Sequence, residues 1–396
     1  MANHDVKIIN IADDGELSFE IIDIDVCIVN AIRRIMMTHI PMLVFRGFPH
    51  KENCINISKN ISKFNNEYVK HRISCIPIFN TDETTYESMI RRYQIKLHVI
   101  NDTSTLKYVT SEHFILCDKE TGNPITSQEH KIRNIFPADP ISRGFVPICC
   151  LMPKIIDTDI AEEIQMTIDF SVGTSKQDSC WNAVTKCCFE NKKDDARFQK
   201  YLKKDPETVS AYLKNDPVAI EEYMKRELTE EERRDFEILD SQRFYVPNHY
   251  IMHVESIGVH SNDKILRISC EYMIHRLEEL NVFLSDATIK LTCYLPENFC
   301  LYKDTTSVKN MFVLYIQNDD YTVGKVIEKY LYSMFKTDIY YVSFKKEHPH
   351  DTHSLVSFSF HDTEVSHEVI FDNLRTVSTE LIRIYRLIQS NFRKDS

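Results

Sequence analysis

Cysteine and histidine are the residues of this chain that could bind a metal or attack a substrate. There are twelve cysteines and 16 histidines. No Cys-x-x-Cys pair occurs, and no cysteine lies in a recognisable nucleophile motif. The closest cysteine sets lack the ligand spacing of a zinc site; they are Cys149-Cys150, Cys187-Cys188 and Cys293 with Cys300. We therefore expect free thiols in a reducing compartment.

Two groups of histidines remain candidates for metal ligands. His348, His350 and His353 are close in sequence and could hold a metal, although a histidine in a turn beside proline needs none. His249 and His253 could lie on one face of a strand, but the sequence offers no evident third ligand. The simpler interpretation is a pair that is hydrogen-bonded or exposed. We predict no metal and no cofactor.

The low glycine content argues against nucleotide-binding enzymes. The chain has only seven glycines, and none has the spacing of a Gly-x-Gly-x-x-Gly or P-loop motif. Loops that hold phosphate need glycine so that the backbone can approach the ligand. An enzyme with cysteine and histidine chemistry remains the catalytic alternative, and a single hyper-reactive thiol would be its signature.

Length and charge limit the classes of protein to which this chain can belong. With 396 residues and 43% apolar content, the chain can form two or three domains with a sizeable core. The net charge of −11 argues against broad nucleic-acid binding, which requires a basic surface. No apolar run reaches the roughly 20 residues of a membrane span, and the N-terminus lacks the features of a signal peptide. We expect a protein of the cytosol or nucleus.

The most informative segment is residues 25–41, which is predicted to be a helix. Its apolar residues repeat along one face; they are Ile28, Val29, Ile32, Ile35 and Met36. Asp25 can cap the helix, and Pro41 ends it. Asn30, Arg33 and Arg34 flank the apolar stripe. An ordinary amphipathic core helix would show the same pattern, so the stripe alone does not indicate a function.

The order of residues in this helix resembles a known family. Asn30-Ala31-Ile32-Arg33-Arg34, followed by Ile40-Pro41, is similar to the first helix of the alpha-like assembly subunits of multisubunit RNA polymerases. Two further segments resemble signatures of that family: His71-Arg72 leading to Ile76-Pro77-Ile78, and Tyr250–Gly258 with its Val-Glu-Ser-Ile-Gly end.

Other segments depart from the family pattern. Residues 173–184 resemble its glycine turn and tryptophan segment, but the usual His-Ala-Lys is missing and Asn182-Ala183 replaces the proline. Residues 148–153 resemble a further segment but lack its glycine. The scattered cysteines do not form the four-cysteine zinc loop of many family members. We expect Trp181, the only tryptophan, to be a packing anchor.

The C-terminal part resembles the small partner of the alpha-like subunit. Residues 320–334 echo the first helix at an offset of about 295 residues, with Asp320 and Ile327 in the positions of Asp25 and Ile32. Residues 319–324 and 345–349 are similar to two signatures of the small partner. The pattern of residues 308–396 predicts strands at 311–317, 339–344 and 354–360, a helix at 321–334, and a long terminal helix.

We therefore predict an α+β fold of two alpha-subunit-type dimerisation units, each a sheet with packed helices, fused into an intramolecular pseudo-twofold dimer. Alternating residues at 93–99 and 163–170 predict half-buried strands in the N-terminal part. The predicted domains are a large alpha-like domain (1–48 and 144–290), a mostly β insert (49–143), a polar helical insertion (191–243), a linker (291–307) and a small alpha-like domain (308–396).

The polar insertion has a pattern of short helices. Tyr201-Leu-Lys-Lys-Asp-Pro206 recurs as Tyr212-Leu-Lys-Asn-Asp-Pro217, and each Asp-Pro can start a helix. Thr229 and Glu232 form a capping-box pattern. We expect surface helices, with a docking arm for a lineage-specific partner as the functional alternative.

Heptad-like spacing predicts how the two units pair. Met273, Leu277, Leu280, Leu284 and Ala287 form one seam, and the terminal helix forms another, so the two key helices and the two terminal helices should pack together. The predicted intramolecular dimer core comprises Ile28, Ile32, Ile35, Leu277, Leu284, Val323, Ile327, Tyr330, Leu374, Leu381 and Ile388.

The resemblance implies a non-catalytic platform subunit of a DNA-directed RNA polymerase, of the fused type found in large DNA viruses that transcribe in the cytoplasm. Its expected partners are the two largest polymerase subunits and small zinc-bearing assembly subunits. No sequence-specific nucleic-acid contact, membrane or homo-oligomer is needed. The docking residues we predict are Asn30, Arg33, Arg34, His71 and Arg72. The expected location is the cytoplasm, including virus factories and virions. A stand-alone interaction protein or virion structural protein that retains the fold is the alternative.

Overall fold

The computed structural model describes residues 5–8, 15–81, 83–125, 132–155, 160–285, 298–304, 310–361 and 365–392. Ala287 of the predicted seam and Cys293 lie outside these ranges. The chain forms two compact units, which are treated separately. Unit 1 comprises residues 1–33, 186–254 and 270–396, and unit 2 comprises residues 34–185 and 255–269.

The described residues form eleven α-helices and sixteen strands. The helices are α1 (Val26–Thr38), α2 (Asn66–Ser74), α3 (Glu83–Arg92), α4 (Ile132–Ile135), α5 (Asp195–Leu202), α6 (Pro206–Tyr212), α7 (Pro217–Lys225), α8 (Glu230–Ile238), α9 (Asn262–Ser285), α10 (Val323–Met334) and α11 (His367–Ser390). The strands are β1 (Asp5–Ile8), β2 (Glu16–Ile22), β3 (Met42–Val44), β4 (Ile55–Asn60), β5 (Tyr93–Asn101), β6 (Lys107–Thr110), β7 (Ile115–Asp118), β8 (Pro147–Leu151), β9 (Glu162–Asp169), β10 (Ser171–Gly173), β11 (Val184–Lys193), β12 (Tyr245–Ser256), β13 (Phe299–Asp304), β14 (Met311–Gln317), β15 (Ile339–Lys345) and β16 (His353–Phe360).

Unit 1 contains two four-stranded sheets with the same connectivity. Their strand orders are β1-β2-β12-β11 and β13-β14-β16-β15. In each sheet the second strand leads into a helix, α1 after β2 and α10 after β14. The third strand in each order then leads into a long helix, α9 after β12 and α11 after β16. The mixed α and β elements expected from the sequence are therefore present, and the two halves share one topological plan.

The C-terminal sheet also corrects the predicted linker. Residues 291–307 were expected only to connect the two halves, yet β13 lies within them and pairs with β14 from Phe299↔Ile316 to Asp304↔Met311. Residues 299–304 show no clean alternation of apolar and polar side chains, so β13 is specified by its pairing with the apolar strand β14 rather than by local pattern.

A buried carboxylate fixes the start of α10. Asp319 accepts hydrogen bonds from the backbone N–H groups of Val323 and Gly324 at 3.0 and 2.9 Å, and from the Ser354 hydroxyl of β16 at 3.0 Å. Burial raises the pKa of Asp319, and the two backbone donors oppose that rise. The carboxylate thus satisfies N–H groups that the first helical turn leaves without partners.

Unit 2 is built around the sheet β4-β9-β5-β7, with the two-stranded sheets β3-β10 and β6-β8 beside it. Burial alternates along β5 and β9, as their sequences predict. The core below this sheet includes Ile73, Ile95, Leu97 and Ile168. Apolar residues therefore face this core, while the alternating polar residues lie on the other side of the sheet.

The predicted mostly β insert is more helical than expected, because α2, α3 and α4 lie within it. Residues 107–118 contain two strands, β6 and β7. A short turn separates them, in which the Thr110 hydroxyl accepts from the Glu112 N–H and the His113 ring caps the Thr110 N–H. This local capping separates the end of β6 from the start of β7.

The helical insertion of unit 1 has the predicted caps. Asp205 and Asp216 cap α6 and α7, each with proline at the first helical position, and Thr229 forms a capping box with Glu232 at the start of α8. The helices also enclose a small aromatic core, which the polar composition concealed. Tyr201, Tyr212 and Tyr223 recur every eleven residues, and the Tyr201 ring lies 4.6 Å from each of the other two.

We predict that Gly324→Ala destabilises unit 1. A Cβ at this position would lie 2.5 Å from the Phe344 ring and 3.3 Å from the Asp319 carboxylate. Overpacking of this kind costs about 1–3 kcal/mol, so thermal unfolding should begin at a lower temperature. Gly144→Ala is the matched control, because its Cβ would meet only the Ser142 hydroxyl, at 3.4 Å. Equal melting temperatures for both variants would contradict this account of Gly324.

Candidate functional site

The polar flank of α1 carries the first predicted docking residues. The Arg33 guanidinium donates from Nε and Nη2 to the Asn30 side-chain oxygen at 3.1 and 3.0 Å. Asn30 and Arg33 are half-buried. Asp25 caps the helix as predicted, accepting from the Cys27 N–H at 3.0 Å. The structure thus brings Asn30 and Arg33 together and gives the guanidinium a defined orientation. Arg34 follows as a half-buried residue.

The second predicted pair lies on α2 in unit 2. His71 is exposed near the end of this helix. Arg72 donates from Nη2 to the Pro147 carbonyl at 2.7 Å, and its guanidinium lies 5.8 Å from the centre of the Tyr68 ring. Arg72 therefore has a structural contact with β8, while His71 is directed to solvent. The docking roles of these residues stay predictions.

The predicted dimer-core residues are mostly buried. Ten of the eleven are at most 1% exposed, namely Ile28, Ile32, Ile35, Leu277, Leu284, Val323, Ile327, Leu374, Leu381 and Ile388. Tyr330 is half-buried instead. Its burial raises its pKa, and the neighbouring Cys27 and Asp25 add to that rise. This ring of α10 is therefore near the start of α1.

Direct contacts join the helices of the two halves within unit 1. Lys329 on α10 forms an ion pair with Asp25 at 3.2 Å. Fully buried Tyr385 on α11 has its pKa raised by burial and, next, by the neighbouring Cys27. The ion pair thus joins the start of α1 to α10, and α10 in turn packs against α11.

The long helices α9 and α11 also meet. The Ser378 hydroxyl donates to Asn281, and the Arg375 guanidinium donates to the Leu284 carbonyl. Arg386 forms a 2.6 Å ion pair with Glu278. These contacts join α9 and α11, the helices that contain the two predicted seams.

The histidines of β12 are hydrogen-bonded in the N-terminal sheet. His249 Nε2 lies 2.9 Å from Glu20, and His253 Nδ1 lies 2.9 Å from Glu16. Both glutamates also bind lysines of β11. The hydrogen bond from Lys186 lowers the pKa of Glu16, and that from Lys192 lowers the pKa of Glu20, in both cases against the effect of burial. The simpler interpretation of this histidine pair fits the geometry.

The C-terminal histidines do not converge. The rings of His348 and His350 are 5.0 Å apart, whereas His353 stacks on Tyr315 with 4.7 Å between centroids. Within the described ranges, no three His, Cys, Asp or Glu residues are grouped as metal ligands.

Several cysteines are poor candidates for nucleophiles. Burial raises the pKa of the Cys149 thiol to about 11 and that of the Cys187 thiol to about 12. Burial also raises the pKa of Cys27, Cys180 and Cys270. A raised pKa reduces the thiolate fraction at neutral pH and with it the reactivity of these thiols.

The sequence did not predict the buried polar cluster around Arg46 in unit 2. Arg46 is 7% exposed and forms a 2.8 Å ion pair with Glu52. It also donates to the Val172 carbonyl at 2.9 Å and to the Gln177 side chain at 3.0 Å, and its guanidinium lies 4.8 Å from the centre of the Trp181 ring. The signal available in the sequence was one arginine in the otherwise apolar run Met42–Phe48.

Trp181 is buried in unit 2, as expected for a packing anchor. Its ring lies directly over Gly173, where any Cβ would come within 2.4 Å of it. The indole N–H donates to the Ser74 carbonyl at 3.2 Å. The tryptophan thus connects the end of α2 to the loop of residues 173–178.

Comparison with known families gives one clear result. The model of the RNA polymerase Rpb3/Rpb11 dimerisation domain matches residues 18–277, which is more than half of the chain. A comparison with individual curated proteins found no match. Among the described helices, none has both the length and the apolar character needed to cross a membrane.

We predict that Glu16 and Glu20 make the stability of unit 1 sensitive to acid. Their folded-state pKa values lie below the ordinary 4.5. The ionised carboxylates therefore contribute stability above pH 4.5, which is lost as the pH falls through the lowered folded values. Glu16→Gln/Glu20→Gln should be less stable near pH 7 and should show a weaker loss of stability as the pH falls below 4.5.

Denaturant unfolding at a series of pH values measures this effect. Glu227→Gln, at an exposed glutamate of the helical insertion, is the matched control and should follow the wild type. If the double variant keeps the full acid-dependent loss, the two carboxylates are not its source.

Proposed function

The chain belongs to the RNA polymerase Rpb3/Rpb11 dimerisation-domain family, and we propose that it is the platform on which the two large catalytic subunits of a DNA-directed RNA polymerase assemble. Domains of this family belong to non-catalytic polymerase subunits. The observation that carries the proposal is the family match over residues 18–277, which includes α1 with Asn30, Arg33 and Arg34.

We further propose that the chain is a fusion of a large alpha-like subunit with its small partner. The identical strand orders of the two sheets in unit 1 support this, since the elements from β13 to α11 repeat the plan of the N-terminal sheet and its helices. The ion pair between Asp25 and Lys329 and the contacts between α9 and α11 support an intramolecular pseudo-twofold pairing. A fused partner is always present at high effective concentration, which favours this pairing.

The proposed docking residues for the large subunits are Asn30, Arg33, Arg34, His71 and Arg72. The hydrogen bonds between Arg33 and Asn30 support the first group, because they hold the guanidinium in one orientation on the polar flank of α1. The exposure of His71 supports a docking role for this residue. Arg72 would act beside it while retaining its contact with Pro147.

The remaining assignments follow the same family resemblance. We propose that small zinc-bearing assembly subunits join the platform. We also propose that the polymerase acts in the cytoplasm of cells infected by a large DNA virus and is packaged in the virion. The platform needs no membrane, no second copy of itself and no sequence-specific contact with nucleic acid.

We predict that Arg33→Glu/Arg34→Glu releases the large subunits. Charge reversal replaces two donors by two acceptors, and unmatched interface charges cost several kcal/mol, so co-purification should fall at least tenfold. The measurement is pull-down of the tagged full-length chain with quantification of both large subunits.

Arg233→Glu/Arg234→Glu is the matched control, because it makes the same charge change at two exposed consecutive arginines on α8. Circular dichroism should show that both variants are folded. If the α1 variant does not fold, Arg33→Gln/Arg34→Gln gives the same test without adding negative charge. If a folded α1 variant recovers as much of the large subunits as the wild type does, this docking assignment is wrong.

A further inference from the structure

We propose that Arg46 is a positioning residue that holds the loop of residues 173–178 on the C-terminal end of α1, and that this loop presents Lys176 to an acidic segment of a large polymerase subunit. The inference rests on the proposed function and specifies one of its contacts. All residues that carry it belong to unit 2.

Arg46 joins elements that are far apart in sequence. Its guanidinium binds Glu52 on one side and the loop on the other, through the Val172 carbonyl and the Gln177 side chain. The Gln177 oxygen that accepts from Arg46 also accepts from the Thr174 N–H at 3.2 Å. A buried guanidinium needs such partners, because an unpaired buried charge is costly. The requirement to satisfy Arg46 therefore fixes both ends of the loop.

The fixed loop caps α1. The Ser175 hydroxyl donates to the Met37 carbonyl at 2.7 Å, and the Lys176 N–H donates to the Thr38 carbonyl at 2.9 Å. These are carbonyls that the last turn of a helix leaves without intrahelical donors. The loop thus closes the C-terminal end of the helix whose flank carries Arg34.

The charge presented there favours an acidic partner. Lys176 is the only cation of residues 173–178 and is exposed, whereas the one anion, Asp178, is half-buried and accepts from the Cys180 N–H. Its ammonium lies 3.4 Å from the His39 ring, and the half-buried Arg34 belongs to the same end of α1. Positive charge at the C-terminal end of a helix is supported by the helix dipole. A carboxylate-rich segment is the partner that complements this arrangement.

The test compares four substitutions in the full-length chain, co-expressed with the large subunits. Lys176→Glu reverses the presented charge, and Gln177→Ala removes the link from Arg46 to the loop. Arg46→Lys keeps the charge but cannot bind Glu52, Val172 and Gln177 together. Glu52→Gln is the matched control, because it weakens the Arg46 contact on the side away from the loop, at a side chain 57% exposed.

We expect association with the large subunits to weaken about tenfold in Lys176→Glu, Gln177→Ala and Arg46→Lys, the size of one lost charge-assisted hydrogen bond, and to stay within about twofold of wild type in Glu52→Gln. The wild-type association should weaken with salt, and Lys176→Glu should flatten that dependence.

The fluorescence of Trp181 reports on Arg46 directly, since it is the only tryptophan and lies against the guanidinium. Arg46→Lys should shift its emission, whereas Glu52→Gln should not. A loss of association that parallels thermal destabilisation in all four variants would reduce Arg46 to a structural role and overturn the proposal.

Two further outcomes are decisive. If the wild type binds the large subunits and both Lys176→Glu and Gln177→Ala bind equally well, the loop is not a docking surface and the inference fails alone. If the wild-type chain recovers no large subunit, the proposed function fails and the inference fails with it. Should Arg46→Lys not fold, the two surface variants still decide the question.

Discussion

Burial of the apolar stripe of α1 is the constraint on which unit 1 depends. Ile28, Val29 and Ile32 are fully buried, and so are Ile327 on α10 and Leu381 on α11. A sheet with one helix does not cover such stripes by itself, so further apolar surface within unit 1 must cover them. The ion pair between Asp25 and Lys329 joins the start of α1 to α10. The apolar contacts provide the driving force, and an exposed pair of this kind contributes mainly to register.

Polar groups inside the units then determine where the loops lie. Asp319 is buried and orders the start of α10, while Arg46 is buried and orders the loop before Trp181. In each case one buried polar side chain satisfies several backbone or side-chain groups from distant segments. Removing such a partner leaves the others unsatisfied, which is why these few residues affect more of the structure than their number suggests.

Periodicity predicted the elements that depend on local pattern. The alternation in β5 and β9, the stripe of α1, the seams of α9 and α11, and the Asp-Pro starts of α6 and α7 all follow from residue spacing, and the structure contains them. What failed depended on partners distant in sequence. β13 exists because β14 lies beside it. The buried contacts of Arg46 with Val172, Gln177 and Trp181 could not be predicted, because these residues are far from it in sequence. The aromatic core of the insertion was not predicted, because its aromatic residues, three tyrosines among them, are widely spaced among many charged residues. The docking residues came from family resemblance, which identifies motifs but does not reveal that Arg72 is committed to Pro147.

The central claim is that this chain is an assembly platform for RNA polymerase, and the most direct measurement is native pull-down of the tagged full-length chain from its source cells. Mass spectrometry would identify the co-purifying proteins, and a transcription assay would test the eluate. The account predicts two very large polymerase subunits in amounts equal to this chain, in an eluate that synthesises RNA. Recovery of the chain alone, or with capsid proteins and no RNA synthesis, would contradict the account and favour a stand-alone or virion structural role for the same fold.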